Sequence, residues 1–388
     1  MVANPVLGVF FHWLGGLASG SFYVPYRGVR RWSWETYWLV GGCFSWIIAP
    51  WLLGSLMTKN LLTVLSEAPS RALFWAFFFG LLWGIGGLTF GLTMRFLGLS
   101  LGMAVVLGLC AALGTLMPPI FSGVFVSQVL GTTSGRTILL GIFICVVGIA
   151  AAGLAGIFKE RAMTLEQQQS SVKEFNLKKG IAVAILSGVM SACFAYGLAA
   201  GAPIKAISLK HGTPALWQGL PVLVVVLIGG FITNVVWCLI LNVRNKTGYQ
   251  YFTSDSSRYP LHLDETTIET AIDAPSREVV EHIPSQEEGG QKRVPMLANY
   301  LFCALAGITW YFQFFFYTMG ETQMGKYGFS SWTLHMASII IFSTLWGIGL
   351  NEWRGAGRPA LWSLTAALAL LVSSTLVVGY GNYLGAVR

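Results

Sequence analysis

The chain has 388 residues, of which 55% are hydrophobic and only 10% charged, and its mean hydropathy is +0.65. That excludes an ordinary soluble domain, where about a quarter of the residues are charged. The net charge of +8 is scattered over short segments between apolar runs, so it reads as a membrane-topology signal and not as a nucleic-acid footprint.

Ten apolar runs follow in chain order, at roughly 6–26, 36–57, 72–93, 97–120, 137–157, 180–201, 215–241, 297–320, 331–350 and 360–381. A helix rises about 1.5 Å per residue, so about 20 apolar residues cross a bilayer core. The backbone finds no water there, and each run predicts a helix. The fold class is an all-α membrane protein embedded in a lipid bilayer. Nothing basic precedes the first run, which argues against a cleaved signal peptide. Pro118-Pro119 should end or break the fourth helix. Cys43, Cys110, Cys145, Cys193, Cys238 and Cys303 all lie inside the runs, with no C-x-x-C pair. They read as small buried residues, without a disulfide or metal role. No cofactor is expected.

With ten spans both termini share one side. The opposite loops carry Arg27, Arg30, Arg31, Arg95, Lys159, Arg161, Lys173, Lys178, Lys179, Arg354 and Arg358. The positive-inside rule then puts both termini in the periplasm of a bacterial inner membrane. Segment 243–295 faces the cytoplasm on this reading. It is too polar to offset its ordering entropy and predicts a mobile loop, with one short helix at Arg277–His282. Asn245-Lys246-Thr247 matches a glycosylation sequon, accidental on this reading.

Dividing the chain near residue 175 gives repeats 1–175 and 176–388 of five helices each. Echoes recur in order: Ser19-Gly-Ser-Phe22 with Ser191-Ala-Cys-Phe194, Gly41-Gly42 with Gly229-Gly230, and Phe90-Gly-Leu-Thr-Met94 with Phe315-Phe-Tyr-Thr-Met319. Five is odd, so the second repeat enters the membrane upside down. Such a 5+5 inverted repeat is a transporter architecture, with the substrate between the halves.

Polar residues at depth mark the candidate site. In the first helix His12, Gly16, Ser19 and Tyr23 share one face. His12 is ionisable inside a span, and histidine titrates nearest working pH, so it is the candidate proton carrier. A neutral, hydrogen-bonded histidine is the alternative. In the eighth helix Trp310, Gln313 and Tyr317 share a face that Glu321 extends. Aromatic rings stack on sugars, and amides and hydroxyls bind their oxygens. Glu321 is a second proton-coupling candidate. Gly84, Gly87 and Gly91 form a smooth face beside Trp83, with Gly87-x-x-x-Gly91 a helix contact. Asn234, Trp332, His335 and Ser338 complete the set. There is no P-loop, H-E-x-x-H or G-x-S-x-G, and the chain is not expected to be an enzyme. An importer, an exporter or exchanger of another polar metabolite, and a membrane sugar sensor remain open, as do monomer and homodimer.

Several of these stretches resemble one family. Phe11-His-Trp-Leu-Gly-Gly-Leu-Ala-Ser-Gly-Ser-Phe-Tyr-Val-Pro-Tyr26, Arg30-Arg-Trp-Ser-Trp-Glu-Thr36, Gly91-Leu-Thr-Met-Arg-Phe-Leu-Gly98, Trp310-Tyr-Phe-Gln-Phe-Phe-Phe-Tyr317 and Ser331-Trp-Thr-Leu-His-Met336 are similar to the bacterial L-rhamnose–proton symporter family. Trp83-Gly-Ile-Gly86, Gly114-Thr-Leu-Met117, Glu174-Phe-Asn-Leu-Lys-Lys-Gly180 and Glu352-Trp353 add to the likeness, which spans nearly the whole chain. It implies the drug/metabolite transporter superfamily, a ten-helix fold, and protons and a small neutral sugar as partners. The chain departs at Gly87–Phe90, where enterobacterial members carry asparagines, and in a longer polar loop.

Overall fold

A computed structural model describes residues 3–97, 99–162, 176–255 and 293–386. Its described elements are helical, apart from one isolated β-bridge between Asp255 and Arg293. Helix α1 is Pro5–Ser21 and α2 is Tyr23–Tyr26. Helices α3, Trp34–Cys43, and α4, Ala49–Met57, are joined by a π-helical turn at Phe44–Ile48. Then come α5, Leu61–Glu67; α6, Ser70–Leu97; α7, Leu99–Phe121; and α8, Thr133–Arg161. After the first half follow α9, Leu177–Ala200; α10, Ala202–Lys210; and α11, Leu220–Asn245. The last three are α12, Met296–Thr322; α13, Ser331–Gly349; and α14, Gly357–Ala386. Nine helical stretches among the described residues are long and apolar enough to cross a membrane. Helix α1, at 17 residues, is the shorter tenth candidate.

Local chemistry sets several boundaries. Asn4 caps α1 by accepting from the Leu7 N–H at 3.2 Å, with Pro5 in the first turn. The single helix expected over 6–26 is broken at Phe22. The ring of Pro25 is incompatible with a helical carbonyl at Ser21, four residues back. Tyr23 is therefore on α2, off the stripe that holds His12, Gly16 and Ser19. Pro50 similarly conflicts with the Trp46 carbonyl, and the wide π turn at Phe44–Ile48 makes room for it. Pro118-Pro119 end α7 and do not break it in two. They occupy its last turn, and the helix closes at Phe121 before Gly123, whose φ is +73°.

Helix α1 packs on α12 and α13, while α9 packs on α6 and α7. Helices α3–α4 lie beside α11 and α12, and α8 lies along α14. Close approaches come from small residues: a Cβ on Gly16 would run into Ser338 of α13, and one on Gly307 into the carbonyl of Gly41. The expected Gly87-x-x-x-Gly91 contact is not made at Gly87, which is exposed with nothing within 4 Å of its Cβ direction. The glycines of α6 that meet α11 are Gly80, against the Val226 carbonyl, and Gly84, against Thr233.

The start of α1 and the end of α14 share one end of the bundle, with residues 58–67, 201–219 and 321–330; this is the near end. Gly8 lies there against Met324, and Gly385 against Tyr327. The far end holds residues 22–33, 245–255 and 293–299. Part of the segment expected as a mobile loop from 243 is ordered here: α11 runs to Asn245, a 3₁₀ turn covers Gly248–Tyr251, and Asp255 bridges to Arg293. Gln250 in that turn is fully buried. The helix expected at Arg277–His282 lies outside the described residues. All six cysteines are free.

Candidate functional site

The face of α12 that carries Trp310, Gln313, Tyr317 and Glu321 runs about 16 Å along the helix axis, and it meets three environments in turn. Trp310 enters an aromatic box. Its ring lies 4.0 Å from Phe22 and 6.5 Å from Trp38, and Trp38 lies 6.0 Å from Trp46. Tyr26, Gly41, Gly42, Ser45 and Gly307 complete the wall of a cavity of about 10 Å³, near the least that holds one water. Ser45 Oγ, Trp46 Nε1 and Trp310 Nε1 are buried with no hydrogen-bond partner among the described residues. Buried donors are nearly always paired, so three on one small cavity call for an explanation. The π turn contributes two of them, since it turns both Ser45 and Trp46 inward.

Trp83 extends this box, 6.3 Å from Trp46 and 5.5 Å from Phe314. Asn234 of α11 forms a further wall: its Oδ1 accepts from Trp38 Nε1 at 3.1 Å, and its amide donates to the Gly230 carbonyl at 2.9 Å. Ser19 is buried, and Tyr23 stacks against Trp38 with ring centres 6.5 Å apart. Trp83, Trp310, Asn234 and Tyr23 thus come together, and Trp38, Trp46, Phe22 and Ser45 join them without having been expected from sequence.

Tyr317 belongs to a second cluster, nearer the chain termini. Its ring centre is 5.3 Å from His12 and 5.3 Å from His335, with Trp332 5.7 Å away. His12 is fully buried, and neither ring nitrogen has a hydrogen-bond partner among the described residues. The hydrogen-bonded histidine kept as the alternative is therefore not what this structure contains. The backbone carbonyl of His12 does accept from Ser338 Oγ at 2.9 Å. His335 is buried and its Nδ1 is unpartnered, as is the Nε2 of buried Gln313. Aromatic contacts join the clusters without a gap: Trp310 to Phe314 at 6.2 Å, Phe314 to Phe194 at 4.4 Å, Phe194 to Trp332 at 5.8 Å, then Tyr317. Glu321 stands at the end of the face. It is ion-paired with Lys205 of α10 at 2.6 Å, a partner that sequence spacing could not supply.

A larger cavity of about 410 Å³ lies between α13, α14 and the turn at Asn351–Arg354. None of the site residues expected from sequence lines it. Among the described residues no group of three or more His, Cys, Asp or Glu could hold a metal ion.

A multi-pass bundle with an apolar exterior and an aromatic, partly unsatisfied core between its helices is the build of an integral membrane protein. The family model for the L-rhamnose-proton symport protein matches residues 1–253 and 288–383, and the chain belongs to that family of transporters. The L-rhamnose-proton symporter of Mannheimia succiniciproducens is 35% identical over 383 residues, 98% of this chain and 99% of the relative. Those of Pectobacterium carotovorum and Cronobacter sakazakii are 32% identical over 382 and 376 residues, covering 98% and 97% of this chain and 99% and 97% of the relatives. The unmatched stretch of the family model falls within the polar segment after α11. No solved structure matches the chain.

Proposed function

We propose that the chain imports L-rhamnose, or a closely related neutral deoxy-hexose, together with a proton, by alternating access across the bacterial inner membrane. The observation that carries the sugar site is the trio of unpartnered donors, Ser45, Trp46 and Trp310, on an aromatic cavity. Sugar oxygens accept from such donors while the ring packs on tryptophan faces. Trp83, Asn234 and Tyr23 form the outer wall, Ser19 is buried on the neighbouring α1, and Gln313, Tyr317 and His335 lead from the wall toward His12. The cavity is too small for a sugar as it stands, so binding requires α3–α4 and α12 to move apart.

Two repeats of opposite orientation, 1–175 and 176–388, account for the helix neighbours. Helix α1 on α12 and α13 is answered by α9 on α6 and α7, α12 beside α3 by α6 beside α11, and α7 on α8 by α13 on α14. The pairs α3–α4 with α11 and α8 with α14 then lie on the pseudo-symmetry axis. With α1 as the tenth span, the charge asymmetry puts both termini in the periplasm and the far end in the cytoplasm. Impermeant labelling of a cysteine placed near Gly248 in intact cells would reverse this orientation.

A neutral sugar gains nothing from the membrane potential, whereas one proton crossing 100 mV contributes about 2.3 kcal/mol. His12 is the proposed carrier, in reach of the sugar site through Tyr317 and the aromatic chain, with Glu321 held in reserve by Lys205. Proteoliposome counterflow with competing deoxy-hexoses tests the substrate. L-rhamnose should exchange, and an absence of exchange with every deoxy-hexose overturns the reading. His12→Gln should keep counterflow, which needs no net proton movement, and lose accumulation against a gradient. Normal accumulation with normal proton uptake by this variant removes His12 from the coupling path. Gln313→Ala should weaken sugar binding by about 1–3 kcal/mol, as expected when a buried hydroxyl loses its partner.

A further inference from the structure

The far end contains a buried carboxylate that the sugar site does not use. Glu35 sits in the first turn of α3 with no exposed surface. Its Oε1 accepts from Thr247 Oγ1 at 2.7 Å and from Asn245 Nδ2 at 3.1 Å, and its Oε2 is buried without a partner among the described residues. Beside it, the Oε1 of Gln250 accepts from the Ser33 N–H at 2.8 Å, Ser33 Oγ at 2.8 Å and Thr36 Oγ1 at 2.9 Å. These bonds tie the start of α3, in the first half of the chain, to the strap that follows α11 in the second half. The single hydroxyl proton of Thr247 is shared with Asn242 Oδ1, 2.9 Å away, so the strap is anchored to α11 itself.

The titratable side chains that face Glu35 from the elements packed against it are Cys238 of α11, Tyr37 of α3 and Tyr251 of the strap. None is a cation. The bases on the flanking segments, Arg30, Arg31, Arg244 and Lys246, are exposed, and among the described residues none forms an ion pair with Glu35. The carboxylate therefore has hydrogen-bond donors on one oxygen and nothing on the other. A buried charge is normally paired, and one that is not marks a functional position in a membrane protein.

We propose that Glu35 is a proton-binding residue of the transport cycle: ionised, it latches the strap at 247–251 onto α3 and closes the far end; protonated, it frees the strap and lets that end open. An ionised carboxylate is acceptor-only, and its hydrogen bonds are about twice as strong as neutral ones. Adding a proton converts one oxygen into a donor and weakens the hold on Thr247 and Asn245. The bare Oε2 is the atom free to receive it. This inference rests on the reading of the chain as a proton symporter. It assigns Glu35 a positioning role at the end of the sugar path, separate from the carrier.

The test is amide hydrogen exchange of residues 245–252 in the full-length protein in lipid nanodiscs, corrected for intrinsic rates, as pH is lowered. In the wild type, protection of the strap should fall about tenfold on acidification, the difference between a charged and a neutral acceptor. Glu35→Gln should show the low protection already at neutral pH and respond little to acid. Its sugar counterflow should be flat over the pH range in which the wild type changes. Strap protection in the wild type that does not depend on pH overturns the proposal, whether or not the variant folds. So does a Glu35→Gln variant with wild-type protection at neutral pH. The exchange measurement needs no sugar. A chain that fails to move L-rhamnose with protons would therefore defeat the transport reading, while the latch at Glu35 stands or falls on strap protection alone.

Discussion

The two ends of the α3–α4 and α11 pair are closed by different chemistry. At the far end, Glu35, Thr36, Ser33, Thr247 and Gln250 are all buried and share two acceptor oxygens. At the near end the ties are looser and wetter. The Lys59 N–H donates to Thr213 Oγ1 at 3.1 Å, and His211 pairs with Glu67 at 2.9 Å, with side chains 21% and 46% exposed. Lys205 and Glu321 are only 16% and 23% exposed, but they still reach water. Water competes for these near-end contacts, whereas at the far end it reaches the bond from exposed Asn245 and not the buried ones to Gln250. The near end should therefore open at little cost, and the far end should need a specific trigger.

Gln250→Ala should break this comparison most severely. It removes the acceptor of three buried donors; the Ser33 and Thr36 hydroxyls, 3.0 Å apart, can still pair, so the Ser33 N–H and one hydroxyl are stranded, and each unsatisfied group costs about 1–3 kcal/mol. A thermal unfolding series in detergent should show a large drop, and a near-wild-type midpoint would mean that water fills the gap. Thr247→Val removes one donor to Glu35 and should cost less, about 1–2 kcal/mol. Lys205→Ala at the near end should cost no more than about 1 kcal/mol, and that cost should shrink in high salt because the pair is partly solvated. A salt-independent loss would place the pair in a drier setting than its exposure implies. The smallest effect belongs to Glu67. The hydrogen bond from His211 holds its carboxyl below the ordinary value of 4.5. A carboxyl lowered on folding stabilises above its unfolded value, and that contribution fades as pH falls through the folded one. Glu67→Gln should thus change stability slightly at neutral pH and not at all in strong acid, read from paired melts.

Hydrophobic runs long enough to cross a bilayer are legible in the sequence because the membrane imposes length and composition together. Hence nine spans match apolar runs, and Trp310, Tyr317 and Trp83 stand out as aromatics in polar company. What escapes is set by pairings remote in sequence. Nothing near Glu321 predicts Lys205, and nothing in a polar stretch after α11 predicts that Gln250 is buried under α3. Trp46 and Ser45 escape because a helical count through residues 36–57 assumes 3.6 residues per turn, and the π turn at Phe44–Ile48 breaks that count. Pro50 is the available signal. On α1 the helical spacing holds through Ser19 and fails at Tyr23, because Pro25 has already ended the helix.

The placement of α1 has a consequence for how the protein is made. Its main neighbours are α12, α13 and α14, and the bond from Ser338 to the His12 carbonyl joins residues 326 positions apart. Helix α1 thus leaves the ribosome long before the helices that become its partners. Until α12 and α13 are synthesised, its histidine and its glycine seam have only lipid beside them. A polypeptide released after the first five helices would carry an orphaned α1 and present α6 and α7 without the helix that covers them, α9. Such a half-chain is a substrate for membrane quality control and not a smaller transporter, and expressing the two halves as separate genes should succeed only when both are synthesised in the same cell.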